Sequence, residues 1–279
     1  YDLMGRIAGR PAHDFMGGRG AAGSGPAATP ESSSGAGAAG ALPLAALIPM
    51  VAPGTMVDLA LAFQRGGTRT FRLKLGAGIE ADRAIVAAVR EALGAEPRLR
   101  VDYNQAYTPD QAVRAIRAIE PFGIDCAEQP VRADDWLGMA RVQRAVATPL
   151  MAHESCFSLT DFVALLELGA VGVLGVNGER PGGITRALQA IDYAARRGLG
   201  TVLHNQPLGI GSAAQVQLGV ARASVLGHAM ELFGQVMMED DLIVAPLDYS
   251  GGAVKVPDGP GFGVELDEAA LERYAVAPT

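Results

Sequence analysis

The sequence lacks an excess of positive charge and is poor in charged residues of either sign. Lysine and arginine total 23 against 30 aspartate and glutamate residues, and charged residues make up 19% of the 279-residue chain. A phosphate backbone requires a basic surface, so nucleic acid is not expected as a partner. The acidic residues are instead suited to holding a divalent cation through oxygen ligands.

Cysteine and long apolar runs are also scarce. Two cysteines, Cys126 and Cys156, are too few for a disulfide framework and favour a reducing, cytoplasmic location. The longest apolar stretch, residues 41–52, contains two prolines and is too short to cross a bilayer. No signal peptide, transmembrane span or membrane partner is therefore expected.

Composition divides the chain into four parts. Residues 1–18 predict a short amphipathic helix, a turn and a second short helical piece. Residues 19–40 are dominated by alanine, glycine, serine, proline and threonine, which is typical of a flexible linker or loop. Residues 41–244 alternate β-like runs with helical segments, and residues 245–279 form a C-terminal segment.

The alternating part predicts a parallel sheet built from βαβ units. The β-like runs are residues 44–50, 70–75, 99–103, 125–129, 149–154, 171–177, 200–205 and 228–233. Eight strands favour a (β/α)8 barrel over the rival doubly wound open sheet, because polar residues recur at the strand ends and a barrel would bring them to one face. These residues are Lys74, Asp102, Glu128, Glu154, Asn177, His204 and Glu231.

Three of these strand-end residues predict a metal site. Asp102, Glu128 and Glu154 follow one another on consecutive strands, and carboxylates brought together repel unless a cation neutralises them. Oxygen ligands suit Mg²⁺, with Mn²⁺ as an alternative, rather than zinc. His153, next to Glu154, is the alternative third ligand, because only one of two neighbours on a strand can point into the barrel mouth.

Basic residues around this site predict acid–base chemistry. Arg72 and Lys74 lie two apart on one strand and therefore face the same side. The permanent charge of Arg72 lowers the proton affinity of Lys74, which makes Lys74 the predicted base. His204, on the far side of the barrel mouth, is suited to proton transfer near neutral pH.

The other polar residues are predicted to support the reaction. Glu231 is suited to binding a substrate carboxylate when protonated, or to fixing Lys74 or a water molecule. Asn177 is expected to orient His204 or to bind substrate, and Asn104 is assigned a supporting or substrate-binding role.

Seven motifs, in this order and spacing, resemble the mandelate racemase/muconate lactonizing enzyme family of the enolase superfamily, and most closely its mandelate racemase-like group. They are RLKLG (72–76), VDYNQAY (101–107), EQPV (128–131), AHES (152–155), RPGGITRA (180–187), LHNQ (203–206) and MELFG (230–234). Residues 2–18 resemble the segment that joins the family's N-terminal capping domain to its barrel, and residues 251–267 resemble the family's closing segment.

The resemblance implies a modified (β/α)8 barrel with only a remnant of the α+β capping domain, in residues 1–18. It implies an enzyme in which Mg²⁺ binds a small-molecule carboxylate substrate and stabilises the enediolate formed when a base removes the α-proton. By matching positions, Asp102, Glu128 and Glu154 are the implied metal ligands. Lys74 is the implied base, and His204 and Glu231 match the group's histidine and glutamate. A homo-oligomer is also implied.

Three departures shape the expected reaction. Arg72 stands where a lysine is usual in the family, and Asn177 stands where the family has an aspartate or a second lysine. His153 stands beside the third ligand, where glycine or aspartate is common. Lys74 as base and His204 as acid favour a hydroxy-acid or sugar-acid dehydratase. The alternatives are a racemase or epimerase with two opposed bases, and a cycloisomerase. Outside enzymes, the alternative is an inactive fragment that lacks its cap.

Overall fold

An eight-stranded parallel sheet forms the centre of the molecule. The computed structural model describes residues 1–17, 40–205, 208–234 and 237–276. The sheet has the order β2-β3-β4-β5-β6-β7-β8-β9, so every strand pairs with its neighbour in sequence. Its strands are Ala45–Ile48 (β2), Thr70–Lys74 (β3), Arg98–Asp102 (β4), Ile124–Glu128 (β5), Leu150–Ala152 (β6), Val173–Val176 (β7), Gly200–Asn205 (β8) and Glu231–Leu232 (β9).

The helices lie between these strands, which confirms the predicted alternation. They are Pro53–Arg65 (α2), Ile79–Leu93 (α3), Pro109–Ile119 (α4), Trp136–Ala145 (α5), Leu159–Glu167 (α6), Ile184–Arg196 (α7), Gly209–Ala221 (α8) and Ala223–Leu226 (α9). The last predicted strand, residues 228–233, is shorter than expected, because only two of its residues pair with β8.

The sheet curves round until its first and last strands meet. Leu44 forms a parallel bridge with Met230, and the Ala45 amide donates to the Met230 carbonyl at 2.9 Å. This contact brings the start of β2 to the start of β9. The architecture is therefore the (β/α)8-type barrel predicted from the sequence, and not the open sheet that was its rival.

Alternation along the strands separates two kinds of core. On β3, Phe71 and Leu73 are fully buried in the large apolar cluster that also includes the helices, whereas Arg72 and Lys74 face the barrel interior. A separate small cluster of Cys126, Met151, Val173 and Val202 comes from β5, β6, β7 and β8. These four residues form an apolar patch on β5 to β8, whereas β3 and β4 carry the buried Arg72, Arg100 and Asp102.

Both ends of the chain pack against the barrel. Helix α1 (Asp2–Ala8) ends at Gly9, and a short 3-10 turn follows at Ala12–Phe15, as the sequence predicted. Strand β1 (Ala41–Pro43) pairs antiparallel with β10 (Ala253–Lys255), and α10 (Glu268–Tyr274) follows. The predicted linker, residues 19–40, falls outside the described residues except for Gly40. No helix in the described ranges is long and apolar enough to span a membrane.

Candidate active site

The strand register brings the predicted residues to one end of the barrel. Lys74 lies opposite Asp102, and Asp102 opposite Glu128, along β3, β4 and β5. On the other side of the opening, His204 of β8 lies opposite Glu231 of β9. These side chains therefore meet at the carboxyl ends of the strands, the face at which barrel enzymes carry out their chemistry.

Arg72 is the central cation of this group. Its Nη2 donates to Asp102 Oδ2 at 2.6 Å and to Glu128 Oε1 at 2.7 Å, and its Nε donates to Glu128 Oε2 at 2.8 Å. Glu231 Oε2 lies 3.2 Å from the same Nε. Burial alone would lower the pKa of Arg72, but the three carboxylates outweigh it and raise that pKa. The guanidinium therefore stays charged in a buried site.

Lys74 lies at the edge of the group and reaches solvent. Its Nζ donates to Asp102 Oδ2 at 2.5 Å and to Asn104 Oδ1 at 2.6 Å, and a quarter of its side chain is exposed. Asn104 in turn donates to Glu154 Oε1 at 2.9 Å. The predicted base is thus held at the mouth by two oxygen acceptors, where a small molecule from solvent can meet it.

Two histidines face each other on the opposite side. The rings of His153 and His204 stack with centroids 4.6 Å apart. His153 Nδ1 lies 3.3 Å from Glu128 Oε1 and 3.7 Å from Glu154 Oε2. His204 Nε2 lies 3.4 Å from Glu231 Oε2, and neither nitrogen has a hydrogen-bond partner among the described residues.

Burial sets the charge of these groups. It lowers the pKa of His153 to about 3, helped by Arg180 and Arg72. Burial also lowers the pKa of His204 well below its usual value, so both imidazoles are neutral near pH 7. The pKa of Glu128 is raised, first by burial and then by Asp102 and Glu231, against the opposing effect of Arg72.

Several residues that sequence reasoning missed hold this arrangement. Arg100 is buried on β4, and its Nη1 donates to Glu231 Oε1 at 3.1 Å. Gln129 accepts from the backbone amides of His153 at 3.0 Å and Ser155 at 3.2 Å. Arg180 donates to the His153 carbonyl at 2.7 Å. Arg100 carried a usable signal, since it lies two residues before Asp102 on the inward face, as Arg72 does before Lys74.

Asn177 occupies the expected region with a different partner. It is buried just after β7, and its Nδ2 donates to Glu179 Oε1 at 3.1 Å. The structure gives it no hydrogen bond to His204 within the described residues, so orientation of His204 by Asn177 stays a prediction.

The residues of the predicted magnesium site do not fit that ion as they are arranged. Both oxygens of Glu128 accept from Arg72, and both oxygens of Asp102 accept from Arg72, Lys74 or the Asn104 amide. Glu154 keeps one unbonded oxygen, Oε2. Among the described residues, the group whose ligand atoms lie within 4.8 Å of one another is Glu128, His153 and His204. The three-carboxylate site therefore stays a prediction.

The barrel and its charged mouth define the class: a (β/α)8 barrel with a cluster of ionisable side chains at the carboxyl ends of its strands. The chain matches the family described as "Enolase C-terminal domain-like" over residues 55–270. The chain belongs to this family, within the mandelate racemase/muconate lactonizing enzyme branch of the enolase superfamily.

Named relatives are isomerases. The chain is 37% identical over 180 residues to the hydrophobic dipeptide epimerase of Enterococcus faecalis, covering 62% of this chain and 51% of the relative. It is 32% identical over 219 residues to the chloromuconate cycloisomerase of Cupriavidus pinatubonensis, covering 77% and 58%. The chain thus spans little more than half the length of these relatives.

A solved structure agrees with the fold. The muconate lactonizing enzyme from Pseudomonas fluorescens, complexed with muconolactone, superposes with a TM-score of 0.86 at 29% identity, covering 98% of this chain and 69% of that one. Fold and family therefore agree over nearly the whole chain.

Proposed function

We propose that this chain is the barrel of an epimerase or racemase that moves the proton on the carbon next to a carboxylate. The observation that carries the proposal is the placement of Lys74 at the barrel mouth, with Nζ held by Asp102 and Asn104 at 2.5 and 2.6 Å. A base in this position can take a proton from a substrate that enters from solvent.

His204 supplies the second proton-transfer group. It lies on the opposite side of the Arg72 group, on β8, with Nε2 3.4 Å from Glu231. Two bases on opposite sides of one carbon allow a proton to leave from one face and return to the other, which inverts the centre. This geometry supports the racemase or epimerase that the sequence analysis gave as an alternative to a dehydratase.

Dehydration, the reaction first expected from the sequence, needs His204 to donate a proton to a leaving hydroxide. The buried imidazole favours its neutral form, because burial lowers its pKa well below the usual value. A neutral imidazole has no extra proton to give to a leaving hydroxide, although the same lowered pKa also makes it a weaker base. This resting state, together with the epimerases among the relatives, favours inversion over dehydration.

The proposed substrate is a small carboxylate with a hydrogen on its α-carbon. The epimerase relative acts on hydrophobic dipeptides by its name, and the proposal includes dipeptides together with α-hydroxy acids. No step of the proposal passes through a metal ion, because the carboxylates are occupied by Arg72 and Lys74.

The test is proton exchange with solvent. The protein is incubated in D2O with a panel of dipeptides and α-hydroxy acids, and proton NMR follows loss of the α-proton and appearance of the second stereoisomer. We expect both signals from one substrate class. Lys74→Ala should slow exchange by about 10²–10⁴-fold, the usual contribution of a positioned base.

The chain offers a matched control, since Lys255 is its other lysine and pairs with Asp248 on the surface. Lys255→Ala should exchange like the wild type. Equal exchange in Lys74→Ala and wild type would remove Lys74 as the base. Formation of a keto acid would indicate dehydration instead, and a lactone product would indicate a cycloisomerase.

A further inference from the structure

We infer that the Arg72 guanidinium, and not a divalent cation, neutralises the paired carboxylates Asp102 and Glu128 in this protein. The inference does not need a substrate and is tested separately from the proposed reaction. It concerns the positions at which the family resemblance implies a metal.

One nitrogen of Arg72 already bridges the two carboxylates. Nη2 lies 2.6 Å from Asp102 Oδ2 and 2.7 Å from Glu128 Oε1. A divalent cation that joined these oxygens would bind each of them at about 2.0–2.6 Å, and so would occupy nearly the same position as the nitrogen. The cation and the guanidinium therefore compete for one place.

Cations of the chain itself face the buried carboxylates. The carboxylates of Asp102, Glu128 and Glu231 are at most 1% exposed. The facing cations are Arg72, Arg100 and Lys74, each within 3.2 Å of one of these carboxylates. Arg72 and Arg100 therefore already face these carboxylates inside the barrel, and Lys74 faces Asp102 at its mouth. A dication added to this group would be attracted weakly, since like charges already lie beside it.

Arginine is suited to bridging two carboxylates. Its planar guanidinium presents several donors in a fixed fork and is always charged, so it can hold two carboxylates at once. A lysine ammonium, which the family resemblance implies at position 72, is a compact point charge without a planar fork and leaves more of the carboxylate edge free. The replacement of lysine by arginine is therefore the change that closes the site to a metal.

The third predicted ligand does not complete the site either. Glu154 accepts from Asn104 at 2.9 Å, and the neighbouring His153 faces Glu128 with an unbonded Nδ1. Neither residue completes an all-oxygen set with Asp102 and Glu128 among the described residues. Two independent features, the bridging guanidinium and the incomplete third position, therefore argue against a magnesium-type site.

The test measures metal binding directly on the intact protein. Wild-type protein is stripped with EDTA and titrated with Mn²⁺, and the EPR signal of free Mn²⁺ reports binding. We expect no one-to-one site in the wild type at millimolar Mn²⁺. Arg72→Lys frees the carboxylate edge and should tighten Mn²⁺ binding by at least about tenfold, equivalent to about 1.4 kcal/mol.

The matched control is Arg69→Lys, the same exchange at an exposed position near the start of β3, where the side chain bonds only backbone carbonyls. It should bind Mn²⁺ no better than the wild type. Circular dichroism establishes that each variant is folded.

Three outcomes overturn the inference. A one-to-one Mn²⁺ site in the wild type that Glu128→Gln removes shows that the cation displaces Arg72. A folded Arg72→Lys variant that binds Mn²⁺ no more tightly than the wild type shows that another feature excludes the metal. Wild-type Co²⁺ binding with visible d–d bands that His153→Ala abolishes identifies a centre at Glu128, His153 and His204 instead. If Arg72→Lys does not fold, the wild-type titrations alone decide.

Discussion

Asp125 is a partly buried carboxylate near the start of β5, on the far side of Arg100 from Glu231. It lies 2.5 Å from Arg98, 3.5 Å from Arg100 and 3.4 Å from His228. Burial would raise the pKa of Asp125, but the neighbouring His228 and the charge of Arg100 outweigh it, so its pKa is lowered. The carboxylate is therefore stabilised in the folded state.

This lowered pKa predicts how stability depends on pH. A group with a lower pKa in the folded than in the unfolded state stabilises the protein above its unfolded pKa, about 3.9 for aspartate. That contribution is lost as the pH falls towards the folded value. We expect Asp125→Asn to lower the free energy of unfolding at pH 7. The difference in this free energy between wild type and variant should become smaller below about pH 4.

Urea unfolding at pH 7 and at pH 3 measures this gap. Asp134→Asn is the control, because Asp134 pairs with Arg132 on the surface and such pairs contribute little. It should change the free energy of unfolding only slightly at either pH. A gap for Asp125→Asn that is the same at both pH values would contradict the assigned ion pairs.

At the scale of elements, the segment after β5 positions the segment after β6. Gln129 has a left-handed backbone with φ of 34° and is fully buried. Its Oε1 accepts from His153 and Ser155, and its Nε2 donates to Ser155 Oγ at 2.7 Å and to the Val131 carbonyl at 3.0 Å. One amide thus ties two neighbouring strand ends together beside the site.

Removing this amide should loosen the connection. Gln129→Ala leaves the buried backbone amide of Ser155 and the partly buried amide of His153 without their acceptor, and each such loss costs about 1–3 kcal/mol. We expect a loss of at least about 2 kcal/mol in the free energy of unfolding, measured in urea. Gln189→Ala, an exposed glutamine on α7, is the control and should lie within about 0.5 kcal/mol of wild type. Equal effects of the two substitutions would show that Gln129 does not connect the strand ends.

Elements and strand ends could be predicted from the sequence because they are local. The two-residue period of β3 placed Arg72 and Lys74 on one face, and the polar residue after each strand predicted which side chains share the mouth. Pairings across the barrel could not be predicted in this way. Arg100 meets Glu231 across 131 positions of sequence, and the bridging of Asp102 and Glu128 by Arg72 depends on side-chain conformations in a closed barrel.

At the scale of the whole molecule, the barrel closes beside a contact between two backbone turns. The Gly252 carbonyl accepts from the Leu44 amide at 2.9 Å, immediately before β2, and Leu44 bridges to Met230. A Cβ added at Gly252 would lie 2.6 Å from the Gly67 carbonyl carbon and from the Thr68 amide nitrogen. The turn after α2 and the turn before β10 therefore approach closely only because glycine is present.

Gly251 and Gly252 provide a matched pair that separates backbone conformation from this close approach. Both have a left-handed backbone, with φ of 70° and 74°, but a Cβ at Gly251 would meet no atom within 4 Å. Gly251→Ala should cost about 1–2 kcal/mol for its conformation alone. Gly252→Ala carries the same cost and also forces the two turns apart, which adds about 1–3 kcal/mol. Urea unfolding measures both variants. Equal losses in the free energy of unfolding would mean that moving the two turns apart costs no stability. Barrel closure would then depend on the β2–β9 contact rather than on the close contact between the two turns.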